Sequence, residues 1–343
     1  MATENKVELR PSPVAAKRPG FWVRTREART AYVYLLPAGI VMSIITLFPL
    51  GFQIWMSFTD YGLKNLRADS APPNFVGFDN YVNILSGNKL RNIIPTFDFW
   101  RILFFNLWWA LSNVVLHVIL GVLVAVLLNV QGLWFKRIYR AIYVLPVVIP
   151  PIIIATVWKN LFDTDSGAFN TLLKGMFGIF GVPSSTFNIP WLENQQPHIG
   201  PLPLAYFALL IANVWLGWPL NAVVATGGLQ SIPKDLYEAA TVDGATSRQQ
   251  FINITAPLLR PAMIPFAVYG FVVTFNLFFL SYFMSEGRPF GETEILVTQA
   301  FKLVNGNNLY GYAAAFSIYI FFILLIISLI TNRITKATAS AYE

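Results

Sequence analysis

Six runs of apolar side chains constrain this 343-residue chain more than any other feature: 31–58, 102–130, 141–158, 204–226, 262–284 and 310–332. Each holds 18 to 29 residues, and none has Asp, Glu, Lys or Arg in its interior. About 20 such residues in a helix cross the hydrocarbon core of a bilayer. Only 12% of the residues are charged and 55% are hydrophobic, whereas a soluble domain carries roughly 25% charged residues. The expected fold is therefore all-α: a polytopic membrane protein with six transmembrane helices. The first run is too long for the apolar core of a cleaved signal and reads as a permanent anchor.

Charge sets the expected orientation. Residues 1–30 are polar and carry Lys6, Arg10, Lys17, Arg18, Arg24, Arg26 and Arg29. They read as a cytoplasmic tail, followed by the anchor at 31–58, an external loop at 59–100, a core at 101–336 and a short C-terminal tail at 337–343. With both termini inside, 15 of the 24 Lys and Arg residues lie on the inner face, and acids number 7 inside against 10 outside. That asymmetry follows the positive-inside rule. It also accounts for the net charge of +7 without nucleic acid as a partner. Pro146, Pro150 and Pro151 sit in the third run, where missing backbone donors should kink the helix.

Several kinds of chemistry are disfavoured. The chain has no cysteine and two histidines, His117 and His198, so no metal or cofactor site is expected. No GxxxxGK[ST] phosphate loop occurs, and no charged side chain within a span marks a proton relay. A transporter with neither device must draw its energy from another chain, although sodium held by neutral oxygens keeps a stand-alone ion-coupled carrier as a rival reading. A structural membrane scaffold is a third.

Between the fourth and fifth runs lies one long polar island, 231–261, SIPKDLYEAATVDGATSRQQFINITAPLLRP. Ser231 can cap a short helix that tolerates Pro233 in its first turn, with Asp235 near the positive end of the dipole. Gly244 supplies the left-handed exit. Thr246 and Gln249 stand at capping-box spacing for a second helix, with Phe251 and Ile254 on one face, which Pro257 is expected to end. The apolar positions Leu236, Ala240, Phe251 and Ile254 are too few to form a core, so this knob suits another protein's cleft. An ordinary cytoplasmic hairpin is the plainer alternative. Glu238, Ala239 and Ala240, then Asp243, Gly244 and Ala245, then Ile254 and Pro257, resemble the EAA loop of ABC-importer membrane subunits. The phrases FVGFDNY at 75–81 and TEILV at 293–297, followed by Ala300 and Phe301, are similar to those of sugar permeases in that family. The resemblance implies an ATPase at the knob, a second permease subunit, two ATP-binding subunits in all, an external sugar-binding protein, and a bacterial inner-membrane location. It implies no enzyme activity on this chain.

Uncharged polar groups remain within the spans. Asn106, Asn113 and His117 share one face of the second helix and read first as interhelical glue. NVWLGWP at 213–219 and FNLFF at 275–279 combine amides with aromatic rings. Sugars present hydroxyl edges and apolar C–H faces, so amides and rings without fixed charge suit them. Taken singly, each ring is better explained by lipid contact. The resemblance, to the F-type subunit class of maltose importers, implies that Asn213, Trp215, Leu216, Gly217, Phe275 and Asn276 line a substrate site. Leu220 departs from that class, which has tyrosine there, so a maltose-like cargo is an expectation about class and not about one sugar.

Overall fold

The structure, a computed structural model, describes residues 21–335 except 68, 131 and 195–197. The chain divides into two compact units, Met1–Gln53 and Ile54–Glu343. In the first, helix α1 (Phe21–Met42) passes through a π-helical turn, Ser43–Leu47, into α2 (Phe48–Ser57). The helix thus begins ten residues before the anchor expected at 31–58, and residues 21–30 are helical where a tail was expected. Helix propagation needs no apolar side chains, so it continues beyond the residues that suit lipid. The remainder of both expected tails lies outside the described residues.

Ile54–Glu343 holds the other elements. The segment 59–100, expected as a loop, contains α3 (Asp79–Ser86) and α4 (Leu90–Ile93). Asn80 of the FVGFDNY phrase is buried there, donating to the carbonyls of Ser57 at 2.9 Å and Thr59 at 2.8 Å. It so satisfies carbonyls that a helix end leaves without partners. The second span is α5 (Phe99–Asn129), capped by Asp98, whose Oδ1 accepts from the backbone N–H of Arg101 at 3.1 Å. α6 (Lys136–Val148) and α7 (Pro151–Leu161) follow, bent by 97° across Ile149 and Pro150. The expected kink is thus a full break, because Pro150 and Pro151 together remove two donors. α8 (Ala168–Gly178) lies in the next loop, and α9 (Leu204–Ser231) is the fourth span.

α10 (Lys234–Val242) and α11 (Ser247–Gln250) form the hairpin, and a π-helical turn, Phe251–Thr255, leads into α12 (Ala256–Phe275). The last helices are α13 (Phe278–Ser285), α14 (Leu296–Asn305) and α15 (Tyr310–Thr335). Five described helical stretches are long and apolar enough to cross a membrane, and the bent pair makes a sixth.

Packing fixes the directions of the spans. Trp109 and Ser112 of α5 meet Tyr206 of α9, His117 meets Asn213, and Gly121 faces Asn221, so the two helices run parallel. Parallel neighbours require the chain to return between them, and only α6 with α7 is available to do so. α12 runs the other way, since Asn106 bonds the carbonyl of Phe275 while Val114 approaches Gly270. Polar pairs tie the loops at one end: Arg101 donates to the Gly291 carbonyl, Lys159 pairs with Glu286, His198 with Glu292 and Lys302 with Glu294. All of these belong to segments that six crossings place on one face, with the hairpin on the other.

Candidate functional site

Where the break between α6 and α7 meets α5, α9 and α12, a cavity of about 180 Å³ opens. Leu220, Leu216, Asn213, Gly217 and Asn221 line it from α9, and Phe266, Tyr269, Gly270, Val273 and Thr274 from α12, with Leu277 just beyond. Both sets follow the i, i+3, i+4, i+7 rhythm of a single helix face. Val147, Ile149 and Pro151 close one side, and His117 reaches in from α5. None of the lining side chains is a carboxylate, an ammonium or a guanidinium.

The polar geometry is specific. His117 is 5% exposed, and its Nε2 lies 3.0 Å from the Asn213 carbonyl oxygen, so the imidazole donates to α9. A Cβ on Gly217 would collide with the imidazole, which explains glycine at that position. One turn on, a Cβ on Gly121 would lie 2.5 Å from the Cβ of Asn221 and 2.8 Å from its backbone carbon. These close approaches weld α5 to α9, as small residues do in membranes. Asn213 is 2% exposed, and its side-chain Nδ2 has no hydrogen-bond partner. A buried donor without a partner costs about 1–3 kcal/mol.

Of the six residues expected to line a substrate site, the structure brings Asn213, Leu216 and Gly217 to the cavity wall. Trp215 lies on another face of α9, its ring 5.8 Å from that of Trp158. Phe275 is fully buried in the core with Phe97, Phe99, Leu296 and Phe316. Asn276 follows the end of α12, and its Nδ2 donates to the Val272 carbonyl at 3.2 Å. Asn106 serves as glue, donating to Phe275 O at 3.1 Å and accepting from Leu296 N–H at 2.8 Å, whereas Asn113 bonds within its own helix to Trp109 O. His117, read as a bundle histidine, is that and a wall residue as well. Tyr269, Thr274 and Asn221 were missed; the 3.6-residue rhythm through Asn213 and Gly217 could have found Asn221.

The polar hairpin stands apart from this cavity. Gly244 has φ +77°, the left-handed exit expected of it. The Thr246–Gln249 capping box is formed, with Thr246 N–H donating to Gln249 Oε1 at 2.8 Å and Gln249 N–H to Thr246 Oγ1 at 3.4 Å. Two expectations fail. Ser231 does not cap α10: it ends α9, its hydroxyl donates to Gly228 O at 2.7 Å, and Pro233 holds the cap position. Pro257 does not end the second helix: the helix runs on from Ser247 through the π-helical turn Phe251–Thr255 into α12, and the change of hydrogen-bond step at that turn accommodates the proline next to it. Glu238, Ala239, Asp243 and Gly244 are exposed, while Ala240, Ala245, Ile254 and Pro257 are half-buried. Val242 is 89% and Ile252 52% exposed, so the hairpin presents apolar surface.

Residues 117–340 match the model of a protein family described as the binding-protein-dependent transport system inner membrane component. The chain belongs to this family. It is a multi-pass membrane component of a binding-protein-dependent transport system, and the rival reading of a stand-alone carrier is not favoured. Over 321 residues it is 33% identical to the galactooligosaccharides transport system permease protein GanP of Bacillus subtilis, covering 89% of this chain and 70% of that one. It is 32% identical to the maltodextrin permease protein MdxF of the same organism, over 89% and 69%. The trehalose/maltose permease protein MalF of Thermococcus litoralis is 31% identical over 92% and 96%. Its fold also matches the crystal structure of a bacterial ABC transporter involved in import of the acidic polysaccharide alginate, with a TM-score of 0.72 over 93% of this chain and 99% of that one at 19% identity.

Proposed function

We propose that this binding-protein-dependent component carries a neutral oligosaccharide of the maltodextrin class across a bacterial cytoplasmic membrane, with both termini inside. The unpartnered Asn213 amide in a cavity without carboxylate or ammonium carries the reading. Such a site bonds a hydroxyl and tolerates C–H faces, but it offers no countercharge to an ionic solute. Asn213, Leu216 and Gly217 contact the sugar, joined by His117, Asn221, Tyr269 and Thr274; Trp215, Phe275 and Asn276 shape the pocket from behind its wall. Relatives named for galactooligosaccharides and maltodextrin support this class of cargo.

The chain pairs with a second permease subunit and receives sugar from an extracytoplasmic binding protein. Two ATP-binding subunits grip the knobs, with Glu238, Ala239, Ala240, Asp243, Gly244, Ala245, Ile254 and Pro257 forming this chain's coupling surface. ATPase closure then switches the cavity between the two faces.

The test is affinity purification from native membranes, with the associated chains and the bound solute identified by mass spectrometry. An ATPase and a neutral oligosaccharide are expected; a charged solute would overturn the cargo reading. Orientation is tested separately. Cysteine at Thr246 should react with an impermeant thiol reagent only after the cytoplasmic face is opened, and cysteine at Ser184 should react in intact spheroplasts.

A further inference from the structure

The two arms of the hairpin are joined by more than the turn at Gly244. Tyr237, on the inward side of α10, places its hydroxyl 2.9 Å from Thr255 Oγ1. Thr255 is 6% exposed and closes the π-helical turn that begins α12. The Tyr237 ring packs on the inner core of Ala125, Ala225, Leu229, Leu259 and Met263, which joins α5, α9 and α12. Nearer the tip, Gln250 Nε2 donates to Thr241 Oγ1 at 3.0 Å.

α10 is joined to α9 by Ile232 and Pro233 and to the fifth span by the glycine turn, two short joints about which a push could turn it instead of moving α12. The Tyr237–Thr255 bond closes the triangle formed by α10, the turn and the π-helical turn, at its buried side. A π-helical turn carries an extra residue, which rotates Thr255 relative to the helix that follows and turns its hydroxyl toward α10.

We infer that Tyr237 is a positioning residue that transmits displacement of the knob to α12 and so to the cavity wall formed by Tyr269, Val273 and Thr274. This rests on the reading that the knob docks an ATPase. Tyr237 makes the transmission by fixing the angle between α10 and the fifth span; the contact with the partner is made by the exposed face that carries Glu238 and Ala239.

The chain has no cysteine, so a single reporter thiol is unique within it and labelling is read on this subunit after the complex is separated into its chains. In the purified complex carrying Leu220→Cys at the cavity wall, the rate of thiol labelling is measured with and without a non-hydrolysable ATP analogue, alongside retention of the ATPase subunit. The nucleotide-dependent change in rate should shrink about three- to tenfold in Tyr237→Phe and in Thr255→Val, the range one lost hydrogen bond spans. ATPase retention should stay at the parent level. The double variant should be no worse than either single variant, because both remove the same bond, and Thr255→Ser, which keeps the hydroxyl, should behave as the parent. Unchanged nucleotide response in both single variants, with the ATPase retained, would overturn this inference alone, as would losses that multiply in the double variant. A parent complex without an ATPase would overturn the docking reading and this inference with it.

Discussion

The cavity and the knob treat their uncharged polar groups in opposite ways. In the knob the polar groups are satisfied locally: Thr246 and Gln249 cap one helix, Gln250 bonds Thr241, and Tyr237 bonds Thr255. Beside exposed charges such as Glu238 and Asp243, it leaves apolar side chains in solvent, Val242, Ile252 and Leu236. The cavity too leaves apolar side chains exposed, Leu220, Tyr269 and Val273 among them, but its wall also holds a buried polar atom without a partner, Asn213 Nδ2. An open apolar surface recovers free energy when another protein covers it, and an open buried donor recovers it when a hydroxyl arrives. The contrast supports the proposed protein partner for one region and the proposed small polar solute for the other.

The largest test of that contrast is Gly244→Asp. Nothing lies within 4 Å of a Cβ at this position, so no clash occurs; the strain comes from φ +77°, which disfavours any side chain by about 1 kcal/mol or more. On the surface proposed to dock an ATPase, a carboxylate beside Asp243 would add a buried charge without a partner. Uptake should be abolished and the ATPase lost or uncoupled, with abundance in the membrane unchanged, while Gly244→Ala should be only partly defective. Ala239→Asp should match Gly244→Asp. Normal uptake in both Asp variants would remove the protein-partner side of the contrast.

Gly217→Ala attacks the cavity from its frame. The new Cβ meets the His117 ring, and overpacking of this kind costs about 1–3 kcal/mol. The melting temperature of the purified permease should fall, and His117→Ala in the same chain should restore much of it by making room. A fall that the second substitution leaves untouched would mean that α5 and α9 are not welded there.

The two regions also differ in how far they can be read from sequence. The knob is built from neighbours in the chain, so capping spacing and one glycine foretold its turn and its second helix start. Its two misreadings, at Ser231 and Pro257, arose where α9 and α12 run into it and helix continuity overrode the local signal. The cavity is built from residues about a hundred positions apart, and a contiguous phrase such as NVWLGWP does not say which of its side chains share a face. Asn213, Leu216 and Gly217 obey the helical rhythm and reach the wall; Trp215 is two residues from Asn213, which turns it well away. Thr274 faces the cavity while Phe275, the next residue, faces the core, a rotation of roughly 100° that only a neighbouring helix could decide. The six crossings were legible from length and apolarity. The parallel course of α5 and α9 needed contacts across the bundle.

Asn213→Ala should separate binding from stability. It removes a buried donor that has no partner in the empty protein, so folding should be unharmed or slightly improved. Sugar, however, loses a hydrogen bond worth about 1–2 kcal/mol, roughly five- to thirtyfold in affinity. Titration of maltotriose against the purified complex, together with thermal unfolding of the empty complex, reads both. A parallel loss of stability would show that the amide serves the fold and not the solute.

Asn276→Ala is the smallest of these effects and the finest test of the cavity's boundary. The family resemblance set this amide beside Asn213 as a lining residue of the substrate site, but its Nδ2 already bonds the Val272 carbonyl at the end of α12. A donor so occupied gains little by turning to a hydroxyl, because one hydrogen bond is exchanged for another. Removing it leaves the Val272 carbonyl with only the backbone N–H of Asn276, at 3.3 Å, and one lost hydrogen bond costs about 0.5–1.5 kcal/mol. The expected pattern is therefore the reverse of that for Asn213→Ala: a lower unfolding temperature, with maltotriose affinity changed by less than about threefold. A loss of affinity as large as that of Asn213→Ala, at unchanged stability, would mean that the amide leaves Val272 when sugar binds. The break between α12 and α13 would then belong to the cavity wall.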